Sequence, residues 1–337
     1  MAQYKLSIII PTYNGAGWIE DTMESVLCQL TQFKSEVEFI VRDNCSTDNT
    51  KQIVEKLNNK YKGLIKYDRR NSTILADINY REAVNLSSGE FFVIIGDDDL
   101  LFPNYIINTL SLIQKFPDVS YFYYNRIRTS RNYSGAFLKH DDPTPSFCKV
   151  FDSQEDFIRE YPTGPDFPSV NVIRRKCFDD GLLFAKDNYY GVEWYSIILY
   201  GMRGCKSMSL FSPMILQRVP RKRVWDDRQL LFVVVGVDNL FSDISQFYPS
   251  AHQSWLSYSD ANVDKIQCIF NSIPLNRTLY REKWGELAPK LNAFQKCVAY
   301  ILLKLPFLSP ILKLFVKYPN FCLKVFRKLL KMARNKR

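Results

Sequence analysis

Through Phe116 the chain alternates two hydrophobic rhythms. Short, unbroken apolar runs are followed by stretches in which apolar residues recur every three or four positions. "KLSIIIP" is a β-branched run that predicts a buried strand. "GWIEDTMESVLCQL" carries Trp18, Ile19, Met23, Val26, Leu27 and Leu30 at helical spacing. "VEFIVRD" predicts a second buried strand. "STDNTKQIVEKLNNKY" predicts a helix with Ile53, Val54 and Leu57 on its apolar face and Ser46 or Thr47 as its cap. "LIKYD" is a third strand, and "ADINYREAVNLSSG" a helix closed by Gly89. "EFFVIIG" is a fourth strand, and "PNYIINTLSLIQKF" a helix with Pro103 near its first position. Such alternation predicts an α/β fold, a Rossmann-like and mostly parallel sheet flanked by helices.

After "VSYFYYNRIR" the rhythm loosens. Residues 130–168 are rich in Pro, Ser and Asp and read as long loops. "SVNVIRR" and "CKSMSLFSPMILQRV" predict further strands, with a helix over "VEWYSIILYGMRG" between them. Residues 226–280 read as mainly helical. The expected organisation is a folded body over 1–225, a helical extension over 226–284 and a separate tail over 285–337.

Composition supports a large core and locates the charge. Apolar residues make up 46% and aromatics 15% of the 337 residues, which excludes a disordered chain. The formal charge is +10. From Gly285 to Arg337 there are twelve Lys/Arg against one acid, Glu286, so the rest of the chain is nearly neutral. A nucleic-acid binder would spread basic residues over its folded body, so no nucleic acid is expected as partner. Eight cysteines are scattered without a C-x-x-C pair, which reads as reduced, mostly buried thiols in a cytoplasmic chain. The N-terminus has no signal-peptide pattern. With only His140 and His252 available, a metal site would use oxygen ligands.

The fourth strand runs directly into Asp97, Asp98 and Asp99. Aspartates favour turns and caps, and that bland reading applies to the tripeptide alone. Placed at the C-terminal end of a buried parallel strand, however, they lie where open α/β sheets bind ligands. Clustered carboxylates there suit Mn²⁺ or Mg²⁺, hard cations that also take phosphate oxygens. A diphosphate-bearing substrate follows. The chain has no P-loop and no G-x-G-x-x-G after its first strand, which disfavours an NTPase or a dinucleotide-binding dehydrogenase.

"LSIIIPTYNGAGWIEDTMESVLCQ", "VEFIVRDNCSTDNT" and "GEFFVIIGDDDLLFP", in that order, resemble the nucleotide-sugar-binding half of a family 2 glycosyltransferase. The resemblance is close over residues 5–116 and looser to about 218. It implies a GT-A fold, a nucleoside-diphosphate sugar donor, a divalent metal and inversion at the anomeric carbon. Residues 1–120 would then bind the donor and 121–225 the acceptor. Pro11, Thr12 and Tyr13 would lie beside the nucleoside, and Asp43 would contact the base or ribose. Relatives commonly read D-x-D-D where this chain has Gly96-Asp97-Asp98-Asp99. The metal position falls on Asp98, with Asp99 beside it, and Asp97 stands in the variable place near the donor. Where relatives carry a glycine and an Arg-Asn pair, this chain offers Asn71, Asp77 and Asn79 as polar groups, with Asn79 taken as donor-binding. This version looks like the branch that builds bacterial lipopolysaccharide or capsule.

An inverting transfer needs a carboxylate base opposite the leaving diphosphate. Relatives show an acidic pair before a hydrophobic helix; here it is reduced to Val192-Glu193. Glu193 is the expected base and Asp187 the runner-up. The plain alternative is a glutamate in a first helical turn, favoured by the helix dipole. Arg218, Arg221, Lys222 and Arg223 beside Trp225 read either as a loop closing over the diphosphate or as a solvated loop. A nucleotidyltransferase on a similar sheet, and a non-catalytic nucleotide-sugar-binding subunit, are the competing functions.

In the tail, Lys304, Lys313, Pro306 and Pro310 interrupt a hydrophobic stretch of spanning length. Beyond it Lys324, Arg327, Lys328, Lys331 and Arg334 share one helical face, and Phe326, Leu329, Leu330 and Ala333 the other. That pattern predicts a helix lying on an anionic membrane surface, at the inner face of the cell membrane. A helix docked on the protein's own core is the alternative. A glycan or lipid-linked acceptor would suit the membrane reading.

Overall fold

The computed structural model describes residues 3–129, 137–139, 148–163, 167–184, 193–218 and 229–305, with 309, 310 and 312. His140, Asp187, the basic segment from Arg221 to Trp225 and the amphipathic part of the tail lie outside the described residues.

The elements follow the two rhythms. β1 (Tyr4–Thr12), α1 (Ile19–Leu30), β2 (Val37–Asp43), α2 (Thr50–Lys60), β3 (Ile65–Arg69), α3 (Ala76–Asn85) and β4 (Gly89–Ile94) come first. Then come β5 (Leu100–Leu101), α4 (Tyr105–Lys115), β6 (Val119–Thr129), β7 (Phe137–Lys139), β8 (Cys148–Phe151) and α5 (Gln154–Glu160). β9 (Asn171–Arg174), α6 (Arg175–Leu182), α7 (Glu193–Gly201) and β10 (Lys206–Arg218) follow. One sheet holds all ten strands, ordered β3-β2-β1-β4-β9-β6-β10-β5, with β7 on β6 and β8 on β10. β1 to β4 are parallel, β9 enters antiparallel between β4 and β6, and β10 runs parallel to β6.

The central strands read as unbroken apolar runs because both faces are covered. Ile8, Ile9 and Ile10 of β1 and Phe91 to Ile95 along β4 are buried. β4 pairs with β1 only as far as Ile9 against Ile94, extended by the Ile95 amide on the Ile9 carbonyl. Pro11, which lacks an N–H, lies just beyond that pairing and costs no ladder bond there.

Several boundaries differ from the pattern. Pro103 does not open α4: Asn104, in the left-handed conformation with φ of 67°, precedes Tyr105. Asn tolerates that conformation better than most residues. Gly89 begins β4 rather than closing α3, which ends at Asn85. Ser46 and Thr47 do not cap α2, because both bond to Asn14 across the sheet edge. The stretch read as long loops contains α5, capped by Ser153 accepting from the Asp156 amide. Among the described cysteines all are free, but only Cys177 and Cys268 are buried, fewer than expected.

α6 and α7 cross at two glycines. A Cβ on Gly181 would stand 1.9 Å from the Ile197 carbonyl oxygen, and one on Gly201 would stand 1.7 Å from that of Cys177. Only bare glycine backbone permits this approach, which seats the hydrophobic α7 on α6. A ring cluster ties both helices to the sheet: Phe92 meets Phe178 at 5.4 Å and Trp194 at 6.1 Å, and Trp194 meets Tyr80 of α3 at 6.1 Å. The position of Glu193, next to Trp194, is set by this packing.

The chain divides into two compact units. The first runs to Arg221 and takes in Leu240–Leu256; the second comprises Lys222–Asn239 and Ser257–Arg337. Within the second, the described residues are helical, with helices Lys265–Ser272, Arg277–Glu282 and Ala293–Lys304, the last opened by an Asn292–Gln295 capping box. Among the described residues no helix is long and apolar enough to cross a membrane.

Candidate active site

The C-terminal ends of β1, β2 and β4 converge on the aspartate run. Thr12, the last residue of β1, donates a hydrogen bond of 2.6 Å to Asp97 Oδ2, and the Tyr13 amide also donates to Asp97. Gly15 makes room for this contact, since a Cβ there would lie 2.5 Å from the same carboxylate oxygen. Asp97 is therefore anchored to the first strand's loop. Burial, reinforced by Asp98, still pushes its carboxyl up to about 6.

Asp99 is anchored on the other side. Ser169 donates to Asp99 Oδ2 at 2.5 Å and accepts from the Gly96 amide at 2.9 Å. Asp99 is 1% exposed, and its Oδ1 is buried without a hydrogen-bond partner. Burial and the neighbouring Asp98 hold its carboxyl well above the usual range. Asp98 lies between these anchored neighbours and is half-buried. Burial raises it too, opposed by the Arg218 guanidinium. Gly96 now has a physical reason: a Cβ there would lie 2.8 Å from Asp99 Oδ2 and 3.1 Å from Asp98 Oδ1. An aspartate at that position would crowd the two carboxylates behind it.

Arg218 holds the run from below, and the sequence reading missed this role. It is the last residue of β10, 3% exposed, rather than part of a loop. Its Nε donates to the Asp98 backbone carbonyl. Its other nitrogens reach Trp18 O at 3.1 Å, Thr22 Oγ1 at 3.0 Å and Asp21 Oδ2 at 3.0 Å. Thr22 in turn donates to the Asp97 carbonyl at 2.9 Å. The only sequence signal was an arginine closing an apolar strand beside an acidic loop.

The remaining donor-side residues are placed as follows. Tyr13 is 47% exposed, with a ring available for packing. Asp43 is fully buried at the end of β2 and already engaged. Its Oδ1 accepts from the Ser46 amide at 2.7 Å, and its Oδ2 from Tyr67 at 2.8 Å and Arg69 Nε at 3.2 Å. The structure thus gives Asp43 the work of holding Ser46 and Arg69. Asn79 is 3% exposed on α3, and its Oδ1 is buried without a partner. Asn44 pins the loop before α3 through both amide atoms, to Ile74.

Glu193 opens α7 and hydrogen-bonds with the side chain of Asp77, in the first turn of α3. The Trp194 amide also donates to Asp77. Burial, and then Glu193, push the Asp77 carboxyl up to about 8. Tyr80, one turn on, is half-buried, and its hydroxyl is raised by burial and by the fields of Asp77, Asp97, Asp98 and Asp99. The acid pair and the strand-end aspartates therefore belong to one electrostatic neighbourhood.

Among the described residues no three acidic, His or Cys side chains converge as a protein-only metal cage. Mg²⁺ and similar cations are usually held by one or two carboxylates plus substrate phosphates. The donor set here fits that mode. It is all oxygen, its acids gain from a nearby positive charge, and Asp99 keeps one unpartnered buried oxygen.

The family model for glycosyl transferase family 2 matches residues 7–182, more than half of the chain. The chain belongs to glycosyl transferase family 2. Among curated relatives of this family 2 member is the abequosyltransferase RfbV of Salmonella typhimurium strain LT2, 24% identical over 227 residues, 63% of this chain and 66% of that one. An uncharacterized glycosyltransferase of Mycoplasma pneumoniae, the MG060 homolog, is 33% identical over 112 residues, 33% of this chain and 37% of that one. The chain thus spans less than two thirds of either relative. The crystal structure of S. aureus TarS 1-349 matches with a TM-score of 0.55, at 17% identity, over 89% of this chain and 91% of that one. That likeness shows a GT-A fold for the family 2 chain. A second TarS structure, in complex with UDP-GlcNAc, matches with a TM-score of 0.54.

Proposed function

We propose that this family 2 chain transfers a sugar from a nucleoside-diphosphate donor to a hydroxyl of a glycan or lipid-linked acceptor, with inversion, in cell-surface polysaccharide synthesis. One observation carries the proposal: Asp98 stands half-exposed at the end of β4 between two aspartates whose side chains are fixed by Thr12 and Ser169, and Tyr80 feels the fields of both that run and Asp77. RfbV, an abequosyltransferase, and TarS, a poly(ribitol-phosphate) beta-N-acetylglucosaminyltransferase, support the substrate class.

Asp98, assisted by Asp99, would hold Mn²⁺ or Mg²⁺ together with the donor diphosphate. Bound there, the cation would offset the charge that develops on the leaving diphosphate. The chain's own residues do the rest. Pro11, Thr12 and the exposed ring of Tyr13 form the nucleoside side. Asp43 fixes the Arg69 and Ser46 edge of that side, and Asn79 offers its unpartnered oxygen from α3. Glu193 takes the acceptor hydroxyl proton as the oxygen attacks the anomeric carbon and the diphosphate departs with the bonding electrons. Arg218 and Thr22 keep the aspartate backbone in place throughout.

The tail's segregated basic face supports attachment to an anionic membrane surface from the cytoplasmic side, where a lipid-linked acceptor would be met. Reversal of Lys324, Arg327, Lys328, Lys331 and Arg334 to Glu should abolish co-sedimentation with anionic vesicles. Thermal stabilisation across a panel of UDP-, GDP-, CDP- and dTDP-sugars, with and without Mn²⁺, tests the donor reading. At least one sugar nucleotide should raise the melting temperature, and more so with Mn²⁺. No response across the panel would contradict it.

A further inference from the structure

Two carboxyl groups rarely meet in a buried setting unless they share a proton, because two full charges there repel strongly. Asp77 and Glu193 meet in this way, both of them half-buried. They come from different helices whose approach is fixed by the Tyr80–Trp194 ring contact and by the glycine crossing of α6 and α7. The Trp194 amide donates to Asp77, so the pair is oriented by backbone as well as by its own hydrogen bond. The charged group that opposes the repulsion is Arg81, through its field. Tyr80, on the same helix as Asp77, feels the fields of Asp77 and of the strand-end aspartates alike.

We propose that Asp77 is a positioning residue for the base: it holds one proton, donates it as a hydrogen bond to Glu193, and so fixes the orientation of that carboxylate toward the acceptor hydroxyl. This rests on Glu193 being the base. In the transfer the acceptor O–H bond breaks and its proton goes to Glu193. The new C–O bond forms, and the anomeric C–O bond to diphosphate breaks with its electron pair. Asp77 keeps its own proton throughout. Burial and Glu193 push that carboxyl up to about 8, so at neutral pH Asp77 carries its proton. Above that pH the donor is lost and two carboxylates face each other. The base then loses its orientation, not its chemistry.

The test needs no substrate in its first arm. Infrared difference spectra of the full chain, titrated from pH 5 to 10, should show a protonated-carboxyl band with a midpoint near 8. Asp77→Asn should lack that band, and Glu193→Gln should lower its midpoint by about two pH units, since the facing charge is gone. A wild-type minus Asp77→Asn difference with nothing titrating above pH 6, or an unmoved midpoint in Glu193→Gln, would overturn the proposal. Carboxyl ¹³C NMR reads the same midpoint from the wild type alone, should the Asn variant not fold. In the second arm, nucleotide release from the panel's sugar nucleotides should fall above about pH 8 in the wild type and stay flat in Asp77→Asn, which keeps a donor. Asp77→Ala should lose about 10–100-fold in kcat at pH 7 with donor KM within about twofold. An alkaline limb retained by Asp77→Asn overturns the positioning role while leaving the base reading intact. Turnover by Glu193→Gln overturns the base reading, and with it the role of Asp77, even where the band titrates near 8.

Discussion

The end of β4 and the junction of α3 with α7 handle buried acid in opposite ways. At β4 each flanking aspartate is tied down by a neutral donor, Thr12 for Asp97 and Ser169 for Asp99, while Arg218 grips the backbone of Asp98. Those contacts fix geometry, the charges of Arg218 at Asp98 and Arg126 at Asp99 offset burial only in part, and all three carboxyls are raised. At α3–α7 the two acids bond to each other, and burial together with Glu193 raises the Asp77 carboxyl. The first arrangement is suited to an external cation arriving with an anionic substrate. The second is suited to accepting a proton. Two clusters of acidic residues thus divide the chemistry because their partners differ.

Removing Asp98 should break this contrast most severely. Asp98→Ala is expected to lower turnover about 10³-fold and to abolish the Mn²⁺-dependent part of donor stabilisation, read by paired melts. Equal donor stabilisation with and without metal in the wild type would dissolve the distinction at the β4 end.

Arg218→Ala should sharpen it next. The guanidinium is buried with its main partners on the backbone of Asp98 and Trp18 and on Thr22. Its loss is expected to cost about 3–5 kcal/mol in denaturant unfolding and to impair donor binding along with it. A variant with wild-type stability would show that the aspartate backbone is held by other means.

The smallest effect concerns stability against pH. The folded-state carboxyl of Asp77 is raised to about 8 from 3.8. Between those values the folded chain holds a proton that the unfolded chain has released, so this group lowers stability as pH rises from about 4 to 8. Asp77→Asn removes that slope. Its melting temperature should gain on the wild type by a few degrees between pH 5 and 8. A constant offset across that range would mean that Asp77 carries no such proton.

The parallel half of the sheet was legible because each strand is a continuous apolar run and each flanking helix keeps its 3.6-residue period. The strand-end residues Thr12, Asp43 and Asp98 were legible for the same reason: a strand's end can be counted. Partnerships across the fold were not. Nothing in "ADINYREAV" shows that Asp77 will meet Glu193, because the contact depends on how α7 seats against α6 through Gly181 and Gly201. Arg218 was read with the basic loop after it, since hydropathy marks a strand's end only within a few residues. Pro103 looked like a helix start, but Asn104 in the left-handed conformation places the first turn later. The missing first aspartate at Gly96 was noticed in the sequence, and its cause, the crowding of Asp98 and Asp99, needed coordinates.

The most direct test of the account is calorimetric donor binding and turnover of Glu193→Gln, measured side by side with the stabilising sugar nucleotide and Mn²⁺. The account predicts donor affinity within about twofold of the wild type, with transfer reduced by about 10³-fold or more. Transfer at the wild-type rate by a Glu193→Gln chain that binds donor normally would contradict it.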